Sequence, residues 1–150
     1  MIRRLTTPDE IESALRKMGA ECPEIEWQNP PVKVEPMVNF WKGSGSSELV
    51  RFLGYFDNTN ELRGYLIGTI QLDPQTGERF GNEFVWTVSP KWRNTRAPIS
   101  LLKQFEKECI DAGCTMVQFG YSMEIYPDRL AQMYDKLGYR QAFVIVRKNL

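Results

Sequence analysis

The feature that most constrains the fold is a run of three β-rich segments joined by tight turns. Leu49 to Phe56 and Leu62 to Leu72 are rich in β-branched and aromatic residues and flank the polar segment 57–60, a pattern typical of a β-hairpin. A second turn at residues 73–77 returns the chain into a third strand that runs through Phe84 to Val88. The sequence therefore predicts three consecutive antiparallel strands.

A short strand and two helices are predicted before this hairpin. Thr7 to Glu10 form a capping box with proline at the first helical position, and apolar residues then repeat at helical spacing until Gly19 ends the helix. Val34 to Trp41 favour a short second helix that stops at the Gly/Ser-rich segment 43–47.

After the third long strand the apolar residues change to helical spacing. A helix is expected from Pro98 to Gly113, then a strand over Thr115–Tyr121, a helix over Asp128–Leu137 and a last strand over Gln141–Arg147. This order implies an α/β (α+β) fold with a mixed, mostly antiparallel sheet and helices on both faces. We also expect the strands that end near Val88 and Tyr121 to diverge and open a cleft.

Composition bounds the class of protein. A chain of 150 residues, 42% of them hydrophobic, suits a single domain over residues 1–150. Its formal net charge is zero, which argues against nucleic acid as a partner. The apolar runs are too short for a membrane span and the N-terminus lacks a signal-peptide core, so we expect a soluble cytoplasmic protein without a membrane partner.

The cysteine and histidine counts limit the chemistry. Cys22, Cys109 and Cys114 are an odd number without paired spacing, and the chain has no histidine, so we expect free thiols and no metal site. The missing histidine also removes the usual serine–histidine and cysteine–histidine nucleophiles. Proton transfer is left to carboxylates, tyrosines and lysines.

The segment from Val88 to Pro98 is the strongest functional signal. It leads from a strand through a polar turn into a helix, where the first backbone N–H groups lack internal partners and favour anions such as a pyrophosphate. The alternative interpretation is a polar strand-to-helix turn without a ligand.

Two further segments connect this turn with a known family. Met133-Tyr134-Asp135-Lys136-Leu137-Gly138-Tyr139 is similar to the "Leu-Tyr-Glu-Lys-Leu-Gly-Phe" helix end of the GNAT superfamily, and Gly64 stands where that family's third strand usually has glycine. With the order of elements, the chain resembles GNAT N-acetyltransferases, which use acyl-coenzyme A, over nearly its whole length.

The resemblance implies a binding site for acetyl-CoA as cosubstrate. In the family, the turn follows Arg/Gln-x-x-Gly-x-Gly/Ala and wraps the CoA pyrophosphate, and the backbone of the preceding strand, here Trp86 and Val88, faces the pantetheine arm. The six turn positions in this chain are Arg93, Asn94, Thr95, Arg96, Ala97 and Pro98. Both glycines are replaced: Pro98 has no N–H to donate, whereas Arg96 supplies a charged group for phosphate.

The resemblance also implies two catalytic residues. Tyr134 occupies the position of a tyrosine that protonates the departing CoA thiolate, and Glu83 is the family-like general base, with Glu124 as the alternative base. Each has a structural alternative: a core position for Tyr134, and solvated or salt-bridged surface positions for the two carboxylates.

The acceptor is the least determined part. Trp27, Phe40 and Trp41 lie in the segment that forms the acceptor side in this family, although core packing is the favoured interpretation. The leading hypothesis is acetyl transfer from acetyl-CoA to an amine of a small molecule or protein. The rival is an inactive GNAT-like protein with a binding, structural or assembly role, and nucleic-acid binding ranks last. The oligomeric state is left open, with a homodimer as one option.

Overall fold

A computed structural model describes residues 1–24, 28, 30–123 and 125–150. These residues form five strands and four α-helices, in chain order β1 (Ile2–Arg4), α1 (Pro8–Glu21), α2 (Val34–Trp41), β2 (Val50–Phe56), β3 (Leu62–Leu72), β4 (Arg79–Val88), α3 (Ala97–Asp111), β5 (Met116–Gln118) and α4 (Pro127–Lys136). Close contacts group the chain into two compact units, Met1–Gly120 and Tyr121–Leu150. Within the described residues, no helix is long and apolar enough to cross a membrane.

The first unit contains one five-stranded sheet in the order β1-β2-β3-β4-β5. Its first three pairs are antiparallel, and β4 pairs with β5 in parallel. The predicted mixed, mostly antiparallel sheet is therefore confirmed. The hairpin strands also agree with prediction, because β3 spans Leu62–Leu72 as expected.

Each face of this sheet is covered by a different set of helices. Phe52 and Ile67 pack with α1 and α2 on one face, whereas Leu53 and Leu66 pack with α3 on the other. Neighbouring strand residues point to opposite faces, so alternate apolar positions supply two cores. Helices on both faces were predicted and are confirmed.

Two glycines lie where neighbouring elements approach each other closely. The prediction that Gly19 ends the first helix is wrong, because α1 continues to Glu21. A Cβ atom at Gly19 would lie 2.4 Å from Cγ2 of Val34, so this glycine lets α1 and α2 approach each other. Gly68 of β3 similarly leaves room for the ring of Phe105 in α3.

Strand β4 contains a β-bulge at Phe84. Val85 pairs with Ile67, but Glu83 pairs with the next residue, Gly68, so Phe84 is inserted between the two pairs. Phe84 contacts Trp41 in α2, and Val85 packs against the same cluster. Two consecutive residues thus face one layer, which the alternation of a regular strand does not allow.

Strands β4 and β5 pair over only part of the length of β4. They pair only over Phe80–Asn82 and Met116–Gln118, whereas β4 continues to Val88, six residues beyond Asn82. The ladder stops because β5 ends at Gln118, short of the predicted Tyr121, and the predicted cleft between the two strand ends stays a prediction. One edge of β4 is therefore without β5 as a ladder partner along more than half of its length.

The second unit contains α4, which agrees with the predicted helix over Asp128–Leu137. The predicted last strand over Gln141–Arg147 is wrong, because the structure has no strand there. Residues Phe143 to Val146 are exposed. β-branched and aromatic residues favour strands only where a neighbouring strand and a half-buried surface are available, so their pattern alone was misleading here.

Candidate functional site

Glu83 follows the last residue of β4 that pairs with β5. It is the residue after Asn82, whose side-chain oxygen accepts a hydrogen bond from Nε2 of Gln118 at 2.7 Å at the end of the parallel ladder. Oε2 of Glu83 accepts a hydrogen bond from the N–H of Gly120 at 3.2 Å. The carboxylate thus lies at the end of the parallel ladder, against the backbone that follows β5.

The environment of Glu83 suits a proton acceptor. Burial raises the pKa of its carboxyl group to about 7, and the single hydrogen bond from Gly120 only partly opposes this shift. None of the described lysines or arginines forms a salt bridge with it. A carboxyl group with a pKa near neutral pH can both take up and release a proton, as a general base must.

Beyond Glu83, the edge of β4 that faces away from β3 has no ladder partner in β5. The N–H of Ser89 donates to the carbonyl of Arg63 at 2.8 Å, across the Gly64–Val88 pair. In an antiparallel ladder, Trp86 and Val88 therefore direct their own N–H and C=O groups away from β3. This is the edge along which an extended, amide-bearing ligand can pair with a strand.

The turn after β4 is tied to the region after α1. Nε of Arg93 donates to the carbonyl of Val88 at 2.9 Å, and its guanidinium forms an ion pair with the buried Glu24. The thiol of the buried Cys22 also lies 3.7 Å from the Val88 carbonyl. Arg93 therefore fixes the shape of the turn with its side chain.

The start of α3 offers few backbone donors to an anion. Ala97 donates its N–H to Oγ1 of Thr95 at 3.1 Å, and Pro98 has no N–H. Oγ1 of Thr95 in turn donates to the carbonyl of Trp92 at 2.7 Å. Arg96, by contrast, is exposed, and within the described part of the chain its side chain has no hydrogen-bond or ion-pair partner, although its carbonyl accepts from the N–H of Ser100 at 2.9 Å. An anion here would rely on a side chain more than on amides.

No protein-family model matches this sequence. The chain is similar in structure to an aminoglycoside acetyltransferase from an uncultured soil metagenomic sample, with 14% identity over 100% of this chain and 97% of that one and a TM-score of 0.76. Glucosamine-6-phosphate N-acetyltransferase from Arabidopsis thaliana matches at 14% identity, 99% and 97% coverage and a TM-score of 0.72. The fold is that of the GNAT superfamily.

The GNAT fold does not by itself define a reaction. A transcriptional regulator from Bacillus halodurans is similar to this chain with a TM-score of 0.77 and 16% identity, over 100% of this chain and 99% of that one. Because one fold hosts several functions, the activity must be argued from the site.

Tyr134, the predicted proton donor, belongs to the second unit. Its side chain is buried, and its ring stacks on Tyr121 with centroids 5.9 Å apart and meets the ring of Tyr139 edge-on at 5.5 Å. Such a cluster is compatible with the structural alternative as well as with catalysis. The catalytic role of Tyr134 stays a prediction.

The other predicted residues gather on β4 and the turn that follows it. This segment carries Glu83, Trp86, Val88 and the six turn residues, all in the first unit. Trp41 is buried, as the core interpretation predicted, whereas Phe40 is exposed and contradicts it. Trp27 and Glu124 lie outside the described residues.

Three features of the site were missed in the sequence. The pairing of Arg93 with Glu24 links residues 69 positions apart, which no local pattern reveals. The bulge at Phe84 depends on the register with β3, and the contact of Gly120 with Glu83 depends on the separation of two strands. Glu83 itself was named from the family resemblance, and its role as a base stays a prediction.

Proposed function

We propose that this protein is an N-acetyltransferase that transfers the acetyl group of acetyl-CoA to an amine of a small molecule or protein. The observation that carries the proposal is Glu83, a half-buried carboxylate with a pKa near 7 that accepts from Gly120 at the end of the β4–β5 ladder. The low-identity acetyltransferase neighbours support the same reaction class.

Acetyl-CoA would supply a thioester to this site. The edge of β4 at Trp86 and at the N–H of Val88 would pair with its pantetheine amides, since the Val88 carbonyl already accepts from Arg93. Arg96 would contact the pyrophosphate with its free guanidinium, and exposed Asn94 and Thr95 flank it in the turn. Arg93, Ala97 and Pro98 would shape this binding turn, because Arg93 is anchored to Glu24 and Val88 and Pro98 suits the first turn of a helix.

Each proton in the reaction has an assigned residue. Glu83 takes a proton from the acceptor ammonium, and the amine nitrogen forms a bond to the thioester carbonyl carbon while the bond from that carbon to sulfur breaks. Tyr134 donates its phenolic proton to the sulfur that leaves. The second proton lost by the nitrogen restores the phenol through solvent, so the products are an amide, a thiol and one released proton.

The test begins with calorimetric titration of acetyl-CoA into the wild-type chain. Arg96→Ala should weaken binding about 10- to 100-fold, which corresponds to the roughly 1.5–3 kcal/mol of a hydrogen bond to a charged group. Binding should also weaken with added salt. Lys103→Ala, which removes an exposed positive charge from α3, is the matched control and should leave binding unchanged.

The role of Tyr134 needs a separate variant. Tyr134→Phe keeps the ring in its aromatic cluster but removes the proton donor, so turnover should fall far more than affinity for acetyl-CoA. Equal turnover numbers in the two proteins would assign Tyr134 to the core alone.

One observation favours a second candidate function, an inactive binding or assembly protein with the same fold. The N–H of Ala97 is already used by Thr95, and Pro98 removes another donor. In that case the wild-type chain shows no saturable binding of acetyl-CoA. The double variant Arg96→Gly, Pro98→Gly distinguishes the two, because a gain of binding in it alone would show that the native turn has lost this function.

A further inference from the structure

Cys109 and Cys114 lie on either side of the turn that ends α3. The N–H of Cys114 donates to the carbonyl of Cys109 at 2.9 Å, and the N–H of Gly113 donates to the carbonyl of Ile110 at 3.0 Å. These two hydrogen bonds, with Gly113 in the left-handed conformation at φ 80°, form a Schellman motif. This motif commonly brings the side chains of its first and last residues into contact.

The two thiols meet across this turn. Residues five apart in a continuous helix point about 140° away from each other, so their contact depends on the reversal at Gly113. Cys114 packs against the core cluster that contains Cys109, and its thiol is a hydrogen-bond partner of the Cys109 thiol. Burial, followed by the neighbouring Cys114 thiol, raises the pKa of Cys109 to about 12. The fold therefore holds two sulfur atoms beside each other.

The backbone spacing of the pair permits a disulfide bond. Bonds of standard length and the 2.9 Å hydrogen bond between the Cys109 carbonyl and the Cys114 N–H place the two Cα atoms less than about 7 Å apart. Cysteines farther apart than about 7 Å cannot be bridged unless the backbone moves. Cys109 and Cys114 lie within this limit.

The third cysteine is kept away from this pair. Cys22 is buried in the core cluster on the α1 and α2 face of the sheet, whereas Cys109 is buried on the α3 face. The sheet therefore separates their thiols. Cys22 has no access to Cys114 either, since Cys114 packs on the α3 face as well.

Burial also fixes the order in which a reagent meets the pair. Cys109 is only 3% exposed, and a Cβ atom at Gly81 of β4 would lie 2.2 Å from its Sγ, so this sulfur packs directly on the strand. Cys114 is partly exposed at the end of the turn. A reagent in solution therefore reacts with Cys114, and Cys109 reacts only with what is attached there.

We propose that Cys109 and Cys114 form a redox-active dithiol whose reagent is a small-molecule disulfide. The Cys114 thiolate attacks one sulfur of the reagent, the sulfur–sulfur bond breaks, and one thiolate leaves. Cys109 then loses its proton to solvent and attacks Sγ of Cys114, which expels the second thiolate. The two leaving thiolates take up the two protons that the protein thiols lose. The protein dithiol is thus oxidised to a disulfide and the reagent is reduced to two thiols.

This site is independent of the proposed acetyltransferase function, because acetyl-CoA takes no part in either step. The second step is the slower one, since the pKa of Cys109 lies far above neutral pH and few of its molecules are thiolates. We therefore expect a mixed disulfide at Cys114 to appear first and then to decay into the internal disulfide. An excess of reducing thiol drives both steps backward.

The experiment uses oxidised glutathione as the reagent on the folded wild-type chain. The reaction runs until its products no longer change, and the protein is then acidified, unfolded and treated with an alkylating agent. Trypsin places Cys109 and Cys114 together in the peptide 108–129 and Cys22 in the peptide 18–33. Mass spectrometry of the two peptides identifies every free, bridged or glutathione-bound cysteine.

The wild-type chain should fall from three free thiols to one, which is Cys22, with an internal disulfide in the peptide 108–129. Dithiothreitol should restore all three. Cys109→Ala should stop at a glutathione adduct on Cys114, and Cys114→Ser should leave Cys109 free because Cys109 is buried. The matched control, Cys22→Ala, should form the internal disulfide as the wild type does. The wild-type peptides test the proposal even if a variant does not fold.

Several results would overturn this proposal. A glutathione adduct that stays on Cys114 in the wild type would show that Cys109 does not reach it. Three unmodified thiols, or a disulfide that includes Cys22, would also contradict the assigned pair. If Cys109 in Cys114→Ser reacts with glutathione as fast as Cys114 does in the wild type, the order of the two steps is wrong.

Discussion

Asp57 and Glu83 are two carboxylates of the same sheet with opposite surroundings. Asp57, in the turn between β2 and β3, accepts hydrogen bonds from the N–H and Oγ1 of Thr59, from the N–H of Glu61 and from Nε of Arg63. The Thr59 side chain is the main cause that holds the pKa of Asp57 well below its usual value. Glu83 accepts one hydrogen bond, and burial raises its pKa to about 7.

The difference distinguishes a carboxylate that stabilises a turn from a carboxylate that can exchange protons. Four donors stabilise Asp57 as an anion, so it stays charged and shapes its turn. Glu83 lacks such compensation and exists in both protonation states near neutral pH. A half-buried carboxylate with so few donors weakens the fold at that pH, which is expected where a group must exchange protons.

The largest expected effect is on the rate. Glu83→Gln keeps the size of the side chain but removes the base, so kcat should fall about 10²- to 10⁴-fold, the range for loss of general-base catalysis. Acetyl-CoA affinity should stay unchanged, and the rise of kcat/KM through pH of about 7 should disappear. Steady-state kinetics with one amine across pH measures all three.

Asp57→Asn is the matched control for that experiment. It also replaces a carboxylate by an amide of similar shape, but at a position that is stabilised as an anion. It should leave kcat and its pH dependence unchanged. A large rate loss in Asp57→Asn, or none in Glu83→Gln, would contradict the assignment of the two roles.

The second expected effect is on stability. The pKa of Glu83 is raised from 4.5 to about 7 on folding, so the folded chain holds a proton over this interval that the unfolded chain has lost. The free energy of unfolding should therefore fall as pH rises from about 4.5 to about 7, by on the order of 2–3 kcal/mol, and then level off.

Urea denaturation of the wild type and of Glu83→Gln at several pH values isolates this contribution. The other titrating groups are common to both proteins, so the difference between their unfolding free energies should change only across that interval. A difference that is constant with pH would show that Glu83 titrates alike in the folded and unfolded chain.

The sequence supports the fold better than the site for a physical reason. Apolar periodicity is local, and it predicts α2, β3 and α4 with bounds within a residue of those found. The bulge and the separation of β4 from β5 depend on the register between strands, which one strand does not encode. The failed strand at Gln141–Arg147 shows the same limit, because a strand requires a partner that its own residues cannot specify.

The site shows the same division between local and distant information. Glu83 and Arg96 were named from the family resemblance, which relates one strand and one turn to the family pattern, and their roles stay predictions. The ion pair between Arg93 and Glu24 could not be predicted from local patterns, since it joins the segment after α1 to the segment after β4. Phe40 was assigned to the core together with Trp41, but in the structure its side chain is exposed near the end of α2.

The smallest expected effect is on the acid stability of the turn that contains Asp57. Its pKa is lowered on folding, so its contribution to stability is fully present above the ordinary pKa of about 3.9 and is lost as the pH falls below that value. Asp57→Asn should therefore lower the midpoint of urea denaturation at pH 7 and approach the wild type at pH 2–3. The effect is small because asparagine keeps a side-chain oxygen that can accept some of the same hydrogen bonds. If the two proteins differ equally at pH 7 and pH 2, the stabilisation comes from the shape of the side chain, and the contrast with Glu83 would rest on burial alone.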